Sequence, residues 1–428
     1  MNEKSENSAS IVSFPEETDE NLGIKVCGQT SYQDFMALLS HYIHYPNYYT
    51  NCLKGGSVAP YTQQFLSEHS EFQDYSEKDI SRLAESPYEN DLFKDFFSVP
   101  YPPQTTSKIT FIDLFAGIGG IRIPFDEQGY QCVFTSEWDK KACETYLANF
   151  GVMPFGDITK IPAEQIPAHD ILLAGFPCQA FSIMGKMQGF ADTRGTMFFE
   201  IERILKHHHT PCVLLENVKQ LVGHDKGRTF KVILARLSEL GYHVKWKVLN
   251  ALDFGLPQKR ERVIVVGFQN KEYCDAFDFD FLKQSYHLEK ILEKDEEVDK
   301  SLFASQHIVE KRQMQTKGKK VFYPSIWHEN KAGNVSVLDH SCALRTGASY
   351  NYLLVNGVRR PSSRELLRLQ GFPEKFRIVV SHQEIRRQTG NSVAVPMIRM
   401  VAEKISNILK AYRYEASKTE GFKTTANF

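Results

Sequence analysis

One segment of the chain reads Asp170-Ile-Leu-Leu-Ala-Gly-Phe-Pro-Cys-Gln-Ala-Phe-Ser182. Its apolar run, 170–174, predicts a buried strand, and Pro177 fixes the backbone directly before Cys178. The carboxyl end of a strand in an open α/β sheet is the edge at which ligands bind. Cys178 is therefore a candidate nucleophile, although a buried structural cysteine is the alternative. The polar stretch 185–189 that follows suits a mobile lid over such a site.

Upstream of this segment, the chain predicts the first unit of a nucleotide-binding α/β sheet. An apolar strand at 109–115 runs into the glycine turn Ala116-Gly-Ile-Gly-Gly120, and 121–128 has helical spacing. The glycine spacing differs from that of the dinucleotide-binding turn, and the sequence lacks a phosphate-binding Lys/Ser loop. These features indicate an adenosyl-like cofactor that requires no phosphate contact.

Acidic residues follow the next predicted strands. The strand 131–136 leads into Glu137 and Trp138, and Asp157 falls where a third strand should end. A carboxylate at such a position can bind ribose hydroxyls, a neighbouring indole can stack on a purine, and Asp157 could bind the adenine amino group. A single carboxylate is more often a helix cap, but carboxylates at successive strand ends favour a cofactor site.

Downstream, two strands end near further charged residues. The strand 212–215 is followed by Glu216 and Asn217, and a carboxyl group beside an apolar pocket can stay protonated and act as an acid. Arg260 and Arg262 precede the strand 263–268 at alternating positions, so we expect both to face one side. They would bind an anion or a polar base there, or else lie on a solvated edge.

The composition limits the class of protein. The chain has 428 residues, enough for about two to three domains, and a net charge of −1, so any nucleic-acid affinity must come from local patches. Eight cysteines without a paired CxxC motif indicate free thiols in a reducing compartment. The histidines 207–209 suit a solvated helix end better than a metal site. The N-terminus lacks a signal-peptide pattern and no run of about eighteen apolar residues occurs, so we expect a cytoplasmic protein without a membrane span.

We predict five segments. Residues 1–107 form an N-terminal extension, partly disordered, with helices near 32–45 and 76–92; residues 108–268 form the catalytic and cofactor-binding domain; residues 269–345 form a small irregular domain; residues 346–414 return to the catalytic domain; and residues 415–428 form a tail. Within these we expect a strand at 243–250, a solvated acidic helix face at 289–299 and helices at 363–370 and 395–411.

A basic cluster within the small domain is the best local candidate for contacting phosphates. It comprises Lys311, Arg312, Lys317, Lys319 and Lys320, followed by the aromatic residues Phe322, Tyr323 and Trp327. The alternative is that these lysines only keep a loop soluble.

Seven motifs in order resemble the cytosine-5 DNA methyltransferases of bacterial restriction–modification systems. They are DLFAGIGG from Asp113, EWD from Glu137, GFPCQAFS from Gly175, LLENV from Leu214, LPQKRERV from Leu256, RLQGFP from Arg368 and GNSV from Gly390. The resemblance implies a Rossmann-like sheet of an S-adenosylmethionine-dependent methyltransferase. It also implies a target-recognition domain, which is the segment 269–345, and a target cytosine flipped out of duplex DNA.

The resemblance also implies roles for individual residues. Cys178 attacks C6 of the cytosine, Glu216 acts at N3 and Arg262 binds the carbonyl edge, with Arg260 and Asn217 completing the catalytic set. The implied residues for S-adenosyl-L-methionine are Phe115, Ala116, Gly117, Gly120, Glu137, Trp138, Asp157, Ile158, Gly175, Pro177, Asn391 and Val393. The implied DNA contacts are Ser182, Gly185, Lys186, Gln258, Lys317, Lys319 and Lys320, and no metal is implied.

As partners we expect double-stranded DNA, on which the protein acts as a monomer at the bacterial nucleoid, and a cognate restriction endonuclease of the same system. Transfer RNA is the alternative substrate, since some members of this family methylate it. A DNA-binding scaffold that has lost catalysis is a further alternative. Such a protein should lack Cys178, Glu216 or Glu137, and all three are present.

Overall fold

The computed structural model describes residues 11–12, 30–49, 98–177 and 197–425, with side chains as far as residue 411. The predicted helix 76–92 lies outside these ranges, as do Cys178, Ser182, Gly185 and Lys186. Within them, no helix is long and apolar enough to cross a membrane.

The strands are, in chain order, β1 (Ile11–Val12), β2 (Thr30–Ser31), β3 (Thr110–Leu114), β4 (Gln131–Ser136), β5 (Ile171–Gly175), β6 (Cys212–Val218), β7 (His243–Asn250), β8 (Gln258–Lys259), β9 (Glu261–Phe268), β10 (Ile326–Glu329), β11 (Val335–Leu338), β12 (Ser341–Cys342) and β13 (Leu353–Val355). The helices are α1 (Tyr32–His44), α2 (Pro46–Tyr49), α3 (Arg122–Glu127), α4 (Lys140–Phe150), α5 (Met197–His208), α6 (Gln220–Gly223), α7 (Arg228–Glu239), α8 (Lys271–Ala276), α9 (Gln306–Thr316), α10 (Ser363–Leu369), α11 (His382–Asn391) and α12 (Val395–Thr425). Of these, β4 and β7 have the predicted bounds, and β3, β5, β6 and β9 shift from theirs by only a few residues, whereas the strand expected to end at Asp157 does not form.

The central sheet has the order β4-β3-β5-β6-β9-β7. The first four strands are parallel, whereas β9 runs antiparallel to both β6 and β7. The chain leaves β3 to one side for β4 and then crosses to the other side for β5, so the carboxyl ends of these strands open a crevice. The predicted Rossmann-like α/β class is confirmed.

Both faces of the sheet are covered by apolar residues, which explains why β3 to β6 are buried along nearly their whole length. Residues of α1, α5 and α7, including Ala37, Ile201 and Ile233, pack on one face. Residues of α3 and α12, including Phe125 and Val401, pack on the other. The return of the C-terminal helix to the catalytic domain is thus driven by its apolar stripe.

The small domain is more regular than predicted. An antiparallel sheet of order β11-β10-β13 packs with α9, and Trp327 is buried in its core with Val335, Val337 and Leu354. Because β13 pairs with β10, this unit continues beyond residue 345. Conversely, Cys274, Phe277 and Phe279 join the core of the central sheet, so residues just after 268 pack with the catalytic unit.

Three other expectations differ from the structure. The acidic run 289–299 is not a helix face, since only short 3-10 turns occur at Leu288–Lys290 and Lys300–Leu302. Asp295 instead pairs with the buried guanidinium of Arg359. Helix α11 was not predicted, and α12 extends to Thr425, well beyond residue 411.

Candidate active site

The glycine turn after β3 has a backbone that few side chains could adopt. Gly117 and Gly119 have φ angles of 56° and 81°, and Phe115 also lies in the left-handed region, with a φ of 55°. A Cβ on Gly120 would lie 2.7 Å from the Ser392 hydroxyl oxygen and 3.0 Å from Val393. The turn and the segment 391–393 are therefore in direct contact, which brings predicted cofactor residues of both motifs together.

Glu137 fixes this turn from the end of β4. Its Oε2 accepts a hydrogen bond from the Gly117 amide at 2.8 Å, and its Oε1 accepts one from the Asp139 amide at 2.8 Å. Burial raises the pKa of the Glu137 carboxyl above its usual value, and these backbone donors oppose that rise. Trp138 beside it is 77% exposed, so its indole face is open to a ligand. Glu137 and Trp138 fit the ribose and the purine of an adenosyl group.

The predicted third strand is absent at Asp157. An isolated bridge joins Ser136 to Phe155, and a 3-10 turn begins at Ile158 with Asp157 as its cap. One carboxylate oxygen of Asp157 accepts bonds from the amide and the hydroxyl of Thr159. Phe155 nevertheless bonds the end of β4 in both directions, through its amide to Thr135 and its carbonyl to Glu137. Asp157 thus lies near Glu137 even though no strand forms.

Glu216 and Arg262 form an enclosed polar pair at the strand ends. In the antiparallel register of β6 and β9, Glu216 is opposite Ile264 and Val218 is opposite Arg262, so the pair is diagonal on one face. Arg262 Nε lies 2.8 Å from Glu216 Oε1, and their side chains are 12% and 9% exposed. Burial raises the pKa of Glu216, while the cationic Arg262 and Arg260 lower it. Burial is the larger influence, so the pKa of the Glu216 carboxyl lies above its usual value.

Asn217 controls the backbone that leads to the predicted nucleophile. Its buried side-chain Nδ2 donates to the Phe176 carbonyl at 2.8 Å, directly before Pro177. Gly175 lies beside Glu216 in the parallel pairing of β5 and β6. A Cβ there would lie 3.1 Å from Ile121 and 3.6 Å from Glu216 Oε2. Gly175, three residues before Cys178 in the sequence, thus lies at the Glu216 carboxyl.

The prediction that Arg260 faces the site together with Arg262 is wrong. Arg260 is fully buried, and its guanidinium donates to the carbonyls of Leu344, Gly390 and Ser392. Burial and the neighbouring Arg262 lower its pKa to about 9. Arg260 lies between β8 and β9, where the alternation of a strand does not set the direction of its side chain. Its hydrogen bonds to Gly390 and Ser392 join the GNSV segment to the sheet.

Gln258 is likewise not a DNA contact in this structure. Its side chain is fully buried, donates through Nε2 to the Leu369 carbonyl at 2.7 Å and accepts from the Leu344 amide at 3.1 Å. An amide satisfied on both sides by the protein has no group left to reach a base or a phosphate. We therefore withdraw Gln258 from the predicted DNA contacts.

The basic cluster is smaller than predicted. Arg312 is 2% exposed and pairs with Glu329 at 2.9 Å, so it stabilises the small domain from within. Lys319 donates to the Val335 carbonyl at 2.6 Å, and Lys320 lies over the ring of Phe322. Lys311, Lys317, Lys319 and Lys320 are exposed, as is Tyr323. The exposed cationic surface therefore consists of lysines 311, 317, 319 and 320.

The structure brings one further charged residue to the cofactor edge. Arg387 of α11 forms a two-pronged ion pair with Asp139, with Nη2 to Oδ1 at 2.7 Å. Asp139 also caps α4 through the Ala142 amide. In the sequence, the amphipathic run 382–391 indicates a helix at Arg387. It does not reveal the ion pair with Asp139, because the two residues are 248 positions apart. Asn391, at the end of α11, is exposed.

Among the described residues, no group of three or more His, Cys, Asp or Glu side chains could bind a metal ion. His208 of the histidine run instead bonds the Ala163 carbonyl.

Known proteins resemble this chain over most of its length. The family described as C-5 cytosine-specific DNA methylase matches residues 109–407. The type II methyltransferase M.HaeII of Haemophilus aegyptius is 56% identical over 301 residues, which cover 70% of this chain and 93% of that protein. The type II methyltransferase M.NgoBI of Neisseria gonorrhoeae is 55% identical over 301 residues, with the same coverage of both chains. The crystal structure of the S. pombe Dnmt2 methyltransferase shares the fold, with a TM-score of 0.55 and 21% identity over 71% of this chain and 99% of that one.

Proposed function

The chain belongs to the C-5 cytosine-specific DNA methylases, and we propose that the site at its strand ends transfers a methyl group from S-adenosyl-L-methionine to a flipped-out cytosine of duplex DNA. The observation that carries the proposal is the enclosed pair Glu216–Arg262, which lies beside Gly175 at the end of β5. It supplies an acid and a cation at the strand end that precedes the candidate nucleophile Cys178 by three residues in the sequence.

The residues at the β3 and β4 ends fit the cofactor. Glu137 has carboxylate oxygens suited to the ribose hydroxyls, Trp138 offers an open indole face, and Asp157 lies where it could accept from the adenine amino group. The Gly117–Gly120 turn, which lies against Ser392 and Val393, would line the same crevice together with Asn391. When bound, the cofactor supplies an electrophilic methyl group.

The protein residues make cytosine reactive toward that group. The Cys178 thiolate adds to C6 of the base, and the electron density passes to C5, which becomes nucleophilic. Glu216 donates a proton or hydrogen bond to N3, and burial favours this role by raising the pKa of its carboxyl group above the usual value. Arg262 binds the O2 carbonyl edge. After methyl transfer to C5, a base or water removes the C5 proton, and the thiolate leaves C6.

The enclosed geometry suits a base that is outside the double helix. Glu216 and Arg262 are both nearly excluded from solvent, so a duplex could not reach them with its bases stacked. The exposed lysines 317, 319 and 320, together with Ser182, Gly185 and Lys186, are the proposed DNA contacts. We propose that the modified DNA is that of a bacterial host, protected from a cognate restriction endonuclease.

Transfer of radiolabelled methyl groups to duplex DNA and to transfer RNA tests this function. We expect incorporation into DNA at cytosine C5 and only a trace into RNA. The reverse result would establish the RNA alternative, and loss of both activities with retained DNA binding would indicate a scaffold.

Cys178→Ala should abolish methyl transfer while cofactor binding, measured by calorimetry, stays close to that of the wild type. Cys274→Ala is the matched control, because Cys274 is buried in the core of the central sheet away from the site. Duplexes with 5-fluorocytosine should trap the wild-type protein covalently, since fluorine cannot leave as the proton does. Methylation by Cys178→Ala above background would refute the nucleophile.

A further inference from the structure

Helix α1 of the N-terminal extension lies against the two segments that carry the proposed cofactor carboxylates. Gln33 Nε2 is 2.8 Å from the Glu137 carbonyl oxygen and 3.1 Å from the Pro154 carbonyl oxygen. Its two amide hydrogens can therefore join the end of β4 to the segment that leads to Asp157. This contact spans more than one hundred residues of sequence.

The neighbouring residue of the same helix fixes the second segment. Asp34 is buried, and its Oδ1 accepts a hydrogen bond from the Gly156 amide at 2.9 Å, one residue before Asp157. A Cβ on Gly156 would lie 3.3 Å from that carboxylate oxygen, so glycine permits the close approach. The Gly156 carbonyl in turn accepts from the Ser136 hydroxyl at the end of β4.

The rest of the helix and its continuation dock on parts of the catalytic unit away from these carboxylates. Ser40 Oγ accepts from the Met153 amide at 2.9 Å, and His44 Nε2 lies 3.0 Å from the Gly151 carbonyl oxygen. The Tyr49 hydroxyl in α2 donates to the Val133 carbonyl at 2.6 Å. The helix is therefore anchored at several points, and its first turn supplies the hydrogen bonds to Glu137 and Gly156.

We propose that Gln33 and Asp34 are positioning residues for the adenosyl pocket, which α1 completes from outside the family-matched region 109–407. They set the separation of Glu137 from the Gly156–Asp157 segment by satisfying a carbonyl on one and an amide on the other. Without them, the Glu137 carbonyl keeps only the weak Cys143 thiol donor, the Gly156 amide must turn to water, and the two segments lose their common tether. The inference rests on the proposed use of Glu137 and Asp157 for S-adenosyl-L-methionine.

The test compares three single substitutions in the full-length protein. Asp34→Ala should weaken S-adenosyl-L-methionine about tenfold in calorimetry, the effect expected when a buried amide loses its acceptor. It should raise KM for the cofactor with little change in kcat. Asp34→Asn keeps an oxygen acceptor at the same position and should restore most of the affinity. Ser40→Ala is the matched control, since it removes a hydrogen bond of the same helix at Met153.

A structural role for α1 would give a different pattern. If Ser40→Ala weakens the cofactor as much as Asp34→Ala at equal loss of Tm, or if Asp34→Ala binds normally, the inference is refuted. Should Asp34→Ala fail to fold, Gln33→Leu replaces it with the same expected loss of affinity, and normal binding by that variant refutes the inference as well. Wild-type protein that binds no cofactor would instead refute the proposed function, so the two failures are distinguishable.

Discussion

Arg262 Nε lies 2.8 Å from Glu216 Oε1, and the two side chains come from adjacent antiparallel strands. Burial of the carboxyl group opposes its ionisation, whereas the guanidinium favours it. Because burial is the larger effect, the pair holds an acid whose pKa is raised but still sensitive to one neighbouring cation.

Replacing Glu216 with Gln should lower kcat by about 10²- to 10⁴-fold, the usual contribution of a general acid. The Gln variant keeps the shape of the side chain and a hydrogen-bond donor but cannot transfer a proton. Single-turnover methyl transfer at saturating cofactor measures the effect. Cofactor affinity should be unchanged, and a variant with near wild-type kcat would remove Glu216 from the mechanism.

The same substitution tests the raised pKa through stability. Below the model-compound value of 4.5, Glu216 is protonated in both the folded and unfolded states, so its burial carries no ionisation penalty. As pH rises from 4.5 through the raised folded pKa, the unfolded state ionises first and the wild type loses stability. Glu216→Gln should therefore gain stability relative to the wild type over this range in denaturant titrations. A difference independent of pH would contradict the assignment.

Arg262→Ala should move the alkaline limb of the pH–rate profile to higher pH. Removal of the cation takes away the main influence that lowers the pKa of Glu216, so the acid stays protonated longer. The maximal rate should fall, because the base also loses a contact. Arg262→Lys restores a positive charge and should return the limb toward its wild-type position; an unmoved limb in Arg262→Ala would show that Glu216 is not the titrating group.

Glu137→Ala should weaken S-adenosyl-L-methionine by about 1–3 kcal/mol, the cost of leaving polar partners unsatisfied. The substitution removes the carboxylate that accepts from the Gly117 and Asp139 amides, and the ribose hydroxyls lose the same acceptor. Calorimetry measures the affinity, and Glu127→Ala serves as a control because Glu127 pairs with Arg399 on the surface. Unchanged affinity in Glu137→Ala would exclude this residue from the cofactor site.

Asn217→Asp should reduce kcat without weakening the cofactor. The substitution keeps the size of the side chain but replaces the amide that donates to the Phe176 carbonyl, so the backbone before Pro177 loses its anchor. Trapping by 5-fluorocytosine duplexes should become slower to the same extent as turnover. Slower turnover with a normal trapping rate would place the defect after attack by Cys178.

Charge reversal of Lys317, Lys319 and Lys320 to Glu should weaken binding to all DNA sequences alike and leave the preferred site unchanged. Each lost phosphate contact lowers the slope of log affinity against log salt by about 0.9. Lys231→Glu, on an exposed position of α7, changes charge in the same sense and serves as the control. An unaltered salt slope would show that the lysines do not contact DNA.

The sequence alone determined the local elements and the motifs at their ends. The bounds of β4 and β7, the glycine turn and the positions of Glu137 and Glu216 follow from short-range apolar periodicity and turn residues. Such signals extend over only a few residues, and they are sufficient to identify an α/β sheet with polar groups at its carboxyl edge.

Tertiary structure alone decided which of those side chains reach the site. Alternation predicted one direction for Arg260 and Arg262, but Arg260 binds carbonyls 84 to 132 residues away and is buried, while Arg262 meets Glu216. The Gln258 side chain bonds the backbone of Leu369 and Leu344. The side chains in the first turn of α1 bond the backbone of Glu137 and Gly156. These partners are distant in sequence, because a buried polar group is paired by whatever packing brings to it, and no local pattern encodes that choice.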